Sequence, residues 1–179
     1  AKLVASDGAK WDYFGRSVAI SGDLVVVGAV ADDDDDSNPG SAYVFRTTDD
    51  GASWTQTAKL VASDAAANDR FGYSVAISGD LVVVGAYAND DGGSDSGAAY
   101  VFRTTDDGAS WTQTAKLVAS DAAEWDEFGD SVAISGDLLV VGAYANDDGG
   151  STSYADSGSA YVFRTTDDGA SWTQTAKLL

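Results

Sequence analysis

Carboxylates are the only abundant reactive groups in this chain. Its 179 residues include 27 Asp and two Glu, but no His, Cys or Met. Without imidazole or thiol there is no His base, thiol nucleophile, disulfide, zinc finger or haem ligand of the usual kinds. Carboxylates can still hold a hard cation or work as an acid–base pair. Calcium takes ~6–8 oxygens from flexible carboxylates and carbonyls. Acid-rich loops at 32–36, 89–95 and 146–149 could supply them, with Asp90, Asp91, Asp95, Asp147, Asp148 and Asp156 as candidate ligands. The competing reading is that these residues form turns and keep the loops soluble. A glycosidase would need two acids a few ångströms apart, one with a raised pKa. Among so many Asp such a pair arises by chance, and no nucleophile elbow, phosphate loop or dinucleotide fingerprint accompanies it. The expectation is a protein that is not an enzyme and requires no cofactor, with calcium the one ion its loops could take.

Aromatic residues offer a second chemistry. Trp11 and Trp125, with Tyr13, Tyr73, Tyr87 and Tyr144 and the guanidinium groups of Arg16 and Arg70, could form platforms for a sugar ring or a protein ligand. The same residues could instead pack one structural unit against the next. Ten basic residues against 29 acidic ones leave a net charge of −19. With no basic cluster, that balance argues against nucleic acid or an anionic membrane as partner. No apolar run approaches the ~20 residues of a spanning helix and no signal peptide is visible. The natural location stays open.

The elements that must position these side chains are set by repetition. AKLVASD begins at Ala1, Ala58 and Ala115, and AKL returns at Ala176, giving periods of 57, 57 and 61 residues. The units are therefore 1–57, 58–114 and 115–179. SVAISGDL and AYVFRTTDDGASWTQTAKL recur without a single change in all three. Fidelity of this kind comes from very recent duplication or from a designer's consensus, and the absence of Met together with Ala at position 1 favours the engineered origin. Each unit reads as four short strands, 17–21, 24–29, 42–47 and 53–61 in the first. Gly22-Asp23 makes a two-residue hairpin turn. In the fourth strand Thr55, Thr57 and Lys59 alternate with Trp54, Gln56 and Leu60, predicting one wet and one packed face. Four strands at a fixed period of this size form the signature of an all-β propeller blade.

The residues Phe14-Gly15, Phe71-Gly72 and Phe128-Gly129, followed by VVGA and AYVF, resemble the FG-GAP repeat, the blade of integrin-α-like propellers. The resemblance implies four-stranded antiparallel blades. It does not carry over the family's calcium loop, because the first turn here is only Ser-Gly-Asp. Thr47–Trp54 and its two copies are similar to the Asp-box of sialidase-type propellers, which implies a folding turn with Trp54, Trp111 and Trp172 structural. Propellers close with ~4–8 blades, so three blades imply closure with further copies of the chain. A homodimer of six blades is preferred, a homotrimer of nine is the alternative, and the product is a self-assembling scaffold. A lectin-like or adhesion module is the competing function. Lys10 and Arg16 in the first unit, against Glu124, Glu127 and Asp130 in the third, would pair across the chain junction. Because AKL stands at both ends, one copy must fray or pair as an extra edge.

Overall fold

The computed structural model describes residues 1–32, 38–147 and 157–179. Twelve strands form three separate four-stranded sheets. The first holds β1 (Phe14–Ser21), β2 (Leu24–Ala29), β3 (Ser41–Arg46) and β4 (Thr55–Leu60). The second holds β5 (Ser74–Ser78), β6 (Leu81–Ala86), β7 (Ala98–Arg103) and β8 (Thr112–Leu117). The third holds β9 (Phe128–Ser135), β10 (Leu138–Ala143), β11 (Ser159–Arg164) and β12 (Thr173–Leu178). Each is an antiparallel meander in chain order. Among the described residues no helix is long and apolar enough to cross a membrane.

Local chemistry explains the meander. β1 turns into β2 through Gly22, whose φ of 58° suits a residue without Cβ. The turn between β3 and β4 is clamped by its own side chains. Thr47 Oγ1 donates to Asp49 Oδ1 at 2.8 Å and accepts the Gly51 N–H at 2.9 Å. Ser53 donates its N–H and its hydroxyl to the two Asp49 oxygens at 2.8 and 2.6 Å, and Trp54 Nε1–H donates to the Gly51 carbonyl at 3.2 Å. The Thr–Asp–Ser part of this clamp recurs at 104–110 and 165–171. Beyond the turn, the strand deviates from its predicted alternation. Val44 faces Ala58 but Phe45 faces Gln56, so Thr57 is bulged out of register. Burial therefore rises along β4 instead of alternating, and Lys59 lies half-buried against Tyr43. The first strand starts at Phe14, three residues before its predicted start, with the intervening residues irregular against β2.

The sheets stack face to face, with β5 packed between β1 and β9. The Phe of each FG pair lies edge-on to Tyr and Phe of its own third strand: Phe71 to Tyr100 and Phe102 at 5.5 and 5.9 Å, Phe128 to Tyr161 and Phe163 at 5.4 and 6.0 Å. Both seams obey one rule. Ser17 Oγ donates to the Gly72 carbonyl at 2.9 Å, and Ser74 Oγ donates to the Gly129 carbonyl at 2.8 Å. A Cβ on Gly28 or Gly85 would lie 1.9 or 2.0 Å from those same carbonyls, so the approach requires glycine. Leu24 packs on Gly108, and Leu81 packs on Gly169. The outermost sheets each lack one neighbour. Leu138 is 44% exposed where Leu24 and Leu81 are 6% and 8%. Val18 and Ile20 are each 67% exposed where Val75 and Ile77 are 8% and 9%. Of the duplicated AKL segments, the C-terminal one completes β12, opposite Ala160–Val162, while residues 1–3 stand outside any strand with Leu3 against the first sheet's open face.

Candidate functional site

Sequence differences between the units gather on one end of the stack, in the segments before each FG pair and in the β2–β3, β6–β7 and β10–β11 loops. The segments before FG share a strained turn. Trp11 and Tyr13 have φ of 81° and 55°, Asn68 and Arg70 68° and 63°, Trp125 and Glu127 70° and 55°. Positive φ costs a non-glycine residue about 1–2 kcal/mol, and a buried carboxylate in the middle of each turn holds it. Asp12, Asp69 and Asp126 are all buried. Asp69 Oδ2 accepts the Ala66 N–H at 3.0 Å and Asp126 Oδ2 accepts the Ala123 N–H at 2.9 Å, as Asp12 Oδ2 accepts that of Ala9. Burial pushes the Asp69 carboxyl upward, against hydrogen bonds from Ala66 and Asn89. These three acids are the residues the sequence reading missed. Their signal was available: an Asp two residues before FG is invariant while both its neighbours change from unit to unit.

A second polar network, half-exposed at the surface, ties each connector to the outer strand. Lys59 Nζ bridges Asp7 and Asp32 at 2.8 and 2.9 Å, and Tyr43 donates its hydroxyl to Asp32 at 2.7 Å. Lys116 pairs with Asp64 at 2.7 Å and with Asp91, and Lys177 pairs with Asp121 at 2.8 Å. Burial pushes Tyr161 up to about 12, with Asp121 adding to the rise and Lys177 opposing it. These groups are structural.

The predicted platform residues divide into separate groups. Arg16 lies over the Tyr73 ring at 3.9 Å, and Tyr73 meets Tyr87 edge-on at 4.5 Å. Trp11 and Tyr13 are exposed, 6.5 Å apart, with Lys10 Nζ 4.7 Å from the Trp11 ring. Trp125 is also exposed and donates its backbone N–H to Ser94 at 2.8 Å. Arg70 is half-buried and lies close enough to Tyr87 to act on its ionisation. A cavity of about 300 Å³ opens between the second and third sheets, lined by Tyr73, Tyr87, Glu127, Asp130 and Tyr144.

The acids expected at a chain junction sit elsewhere. Glu127 donates its N–H to Asp95 O at 3.1 Å, and the Glu124 side chain abuts Gly93, so both pack on the second sheet's loop within the same chain. The reason is general to the fold: each segment before FG leans on the preceding sheet. Asp130 faces the same seam and feels the pull of Arg16, while burial raises its carboxyl. Lys10 stays on the first sheet's open side beside Trp11.

Of the expected calcium ligands, Asp91 is engaged by Lys116, and Asp90 accepts the Asp95 N–H at 2.8 Å. Asp147 is half-buried and already has a partner. Asp148, Asp156 and positions 33–36 lie outside the described residues. Among the described residues no three acids gather into a metal-binding group.

A family model described as the FG-GAP repeat matches residues 1–45, 54–102 and 111–163. Curated protein sequences return no match. Similar solved structures include Sqt1 of Saccharomyces cerevisiae, at 11% identity and a TM-score of 0.55, and Sqt1 from Chaetomium thermophilum, at 15% and 0.58. Each is covered over 36% of its length by 94% of this chain, so the chain spans about a third of these propeller-like structures. At such identities the likeness establishes fold alone.

Proposed function

Because the chain belongs to the FG-GAP repeat family on those three matched segments, we propose that it is a self-assembling scaffold without catalysis, in which two copies close head to tail into one six-bladed ring. A propeller-like repeat fold suits a scaffold or a binding module. The choice of scaffold rests on one observation: the two open faces are complementary halves of a seam that the chain already builds twice. The third sheet offers Ser131, Leu138 and Gly142, the residues equivalent to Ser17, Leu24 and Gly28. The first sheet offers the Gly15 carbonyl and Gly51, equivalent to Gly72 and Gly108. A cavity of about 630 Å³ lined by Ile20, Gly51 and Trp54, among others, lies where Leu138 of a second copy would insert. A head-to-tail contact of this kind is heterologous, and it makes a ring when the rotation closes. Within this reading the Thr47–Trp54 turn and its copies are Asp-box-like clamps that fix the receiving glycine, and the near-identity of the units reflects a designed consensus.

Native mass spectrometry across a dilution series tests the proposal. The expected mass is twice 18.3 kDa, 36.6 kDa. Three chains would keep self-assembly and replace six blades with nine. A stable monomer at micromolar concentration would overturn it.

A further inference from the structure

Unit-to-unit differences converge on the cavity between the second and third sheets. In the first seam the equivalent five positions are Arg16, Val30, Arg70, Tyr73 and Tyr87. One step along the chain they become Tyr73, Tyr87, Glu127, Asp130 and Tyr144. Two guanidinium groups and an aliphatic side chain are exchanged for two carboxylates and a third phenol ring, although the surrounding strands are letter-for-letter repeats. Three tyrosines and two acids lining about 300 Å³ suit a cation with a weakly held hydration shell. We propose that this cavity is a binding site for a quaternary or fully methylated ammonium group.

Geometry and chemistry support the assignment. Tyr73 and Tyr87 meet edge-on at 4.5 Å, which fixes two rings at an angle to one another. Tyr144, exposed, lines the same cavity, and its hydroxyl interacts with Glu127. The Tyr73 ring already carries one cation, the Arg16 guanidinium at 3.9 Å. Asp130 is held in a partly desolvated setting that disfavours its charge, and a bound cation would relieve that cost. Arg70 and Asp95 both act on Tyr87 and oppose one another in sign. The volume lies at the lower end of the ~300–1,000 Å³ typical of ligand sites, so it fits a headgroup better than a polymer. A primary ammonium is disfavoured because it surrenders a stronger hydration shell on entry.

All five residues belong to one chain, so the site is independent of ring closure and can be tested on whichever species the mass measurement finds. The test is calorimetric titration with choline and with its neutral isostere 3,3-dimethylbutan-1-ol. Choline is expected to bind about tenfold more tightly, the difference being the cation's attraction to the rings and acids. Tyr144→Ala, at an exposed position whose loss leaves the core intact, is expected to weaken choline binding about fivefold or more. Tyr13→Ala, outside the cavity, should leave it unchanged. Equal binding of the two probes, no saturable choline binding, or a Tyr144→Ala variant that binds as the parent does would each overturn the proposal. Circular dichroism of each variant separates lost binding from lost fold.

Discussion

Leu24, Leu81 and Leu138 open the second strand of their sheets, and only Leu138 is substantially exposed. This makes a built-in comparison. Leu81→Ala removes a side chain buried against Gly169 inside the chain, and large-to-small core changes of this type cost about 2–5 kcal/mol of folding stability. In a lone protomer Leu138→Ala removes a side chain already 44% exposed, and the cost to folding should be well below that of Leu81→Ala. In a closed two-chain ring the same leucine is buried twice, once at each junction. A loss of about 2 kcal/mol at each junction becomes about 4 kcal/mol on association, close to a thousandfold in Kd. Analytical ultracentrifugation over a dilution series gives the association constant, and urea unfolding of each variant gives the stability. Strong destabilisation by Leu81→Ala, with an association constant unmoved by Leu138→Ala, would refute the assignment of Leu138 to a junction.

Glycine substitutions should divide in the same way. Gly85→Ala drives a Cβ to within 2.0 Å of the Gly129 carbonyl and should prevent folding, whereas at Gly142 the nearest atom is the movable Ser131 Oγ. Gly142→Ala should therefore yield a folded protomer that no longer associates, and circular dichroism with solution mass checks both halves. Acid titration supplies the other prediction. Hydrogen bonds from Ser110, then Thr104, hold Asp106 down to about 2 against an ordinary value of 3.8, and Asp49 and Asp167 behave alike with their own serines. A lowered folded-state pKa means that the stabilisation is complete above the unfolded value and is lost as pH falls through about 2. NMR titration of Ser110→Ala should move Asp106 back toward 3.8 while Asp49 and Asp167 stay near 2; an unmoved Asp106 would show that another contact governs it.

Strand content, turn positions and the meander were legible because they depend on short-range chemistry that the repeats state three times. Gly22 needs its turn wherever the sheets sit, and Asp49 finds Ser53 four residues away. What escaped was set by contacts between units. The bulge at Thr57 breaks an alternation that looks regular in sequence, because strand pairing fixes register and the side-chain period does not. Glu124 and Glu127 were assigned to a chain end by their position in the third unit. Each segment before FG leans backwards, which puts them at the second seam, within one chain. Asp12, Asp69 and Asp126 went unnoticed among many acids until burial separated them from the solvated ones. Tyr73, Tyr87 and Tyr144 stand out in the sequence with Trp11 and Trp125, but that these three alone share a cavity depends on contacts between units.

Blade number follows from the same repetition. Ser17 with Gly72, and Ser74 with Gly129, are the same bond between the same residue types, at 2.9 and 2.8 Å. Leu24 on Gly108 and Leu81 on Gly169 leave contacts equal to within 0.1 Å at the closest atom. The two seams inside the chain therefore impose nearly one rotation per blade. The proposed third seam, between chains, would use the same serine, glycine and leucine, and close packing would leave those contacts little freedom to choose another angle. Two copies then close only if that common rotation divides a full turn by six, and three copies only if it divides it by nine. A single sharp mass is expected, because seams of this rigidity cannot serve both rings. If dimers and trimers coexist in one preparation, the seams tolerate a range of angles, and the argument from repeat identity to ring size fails.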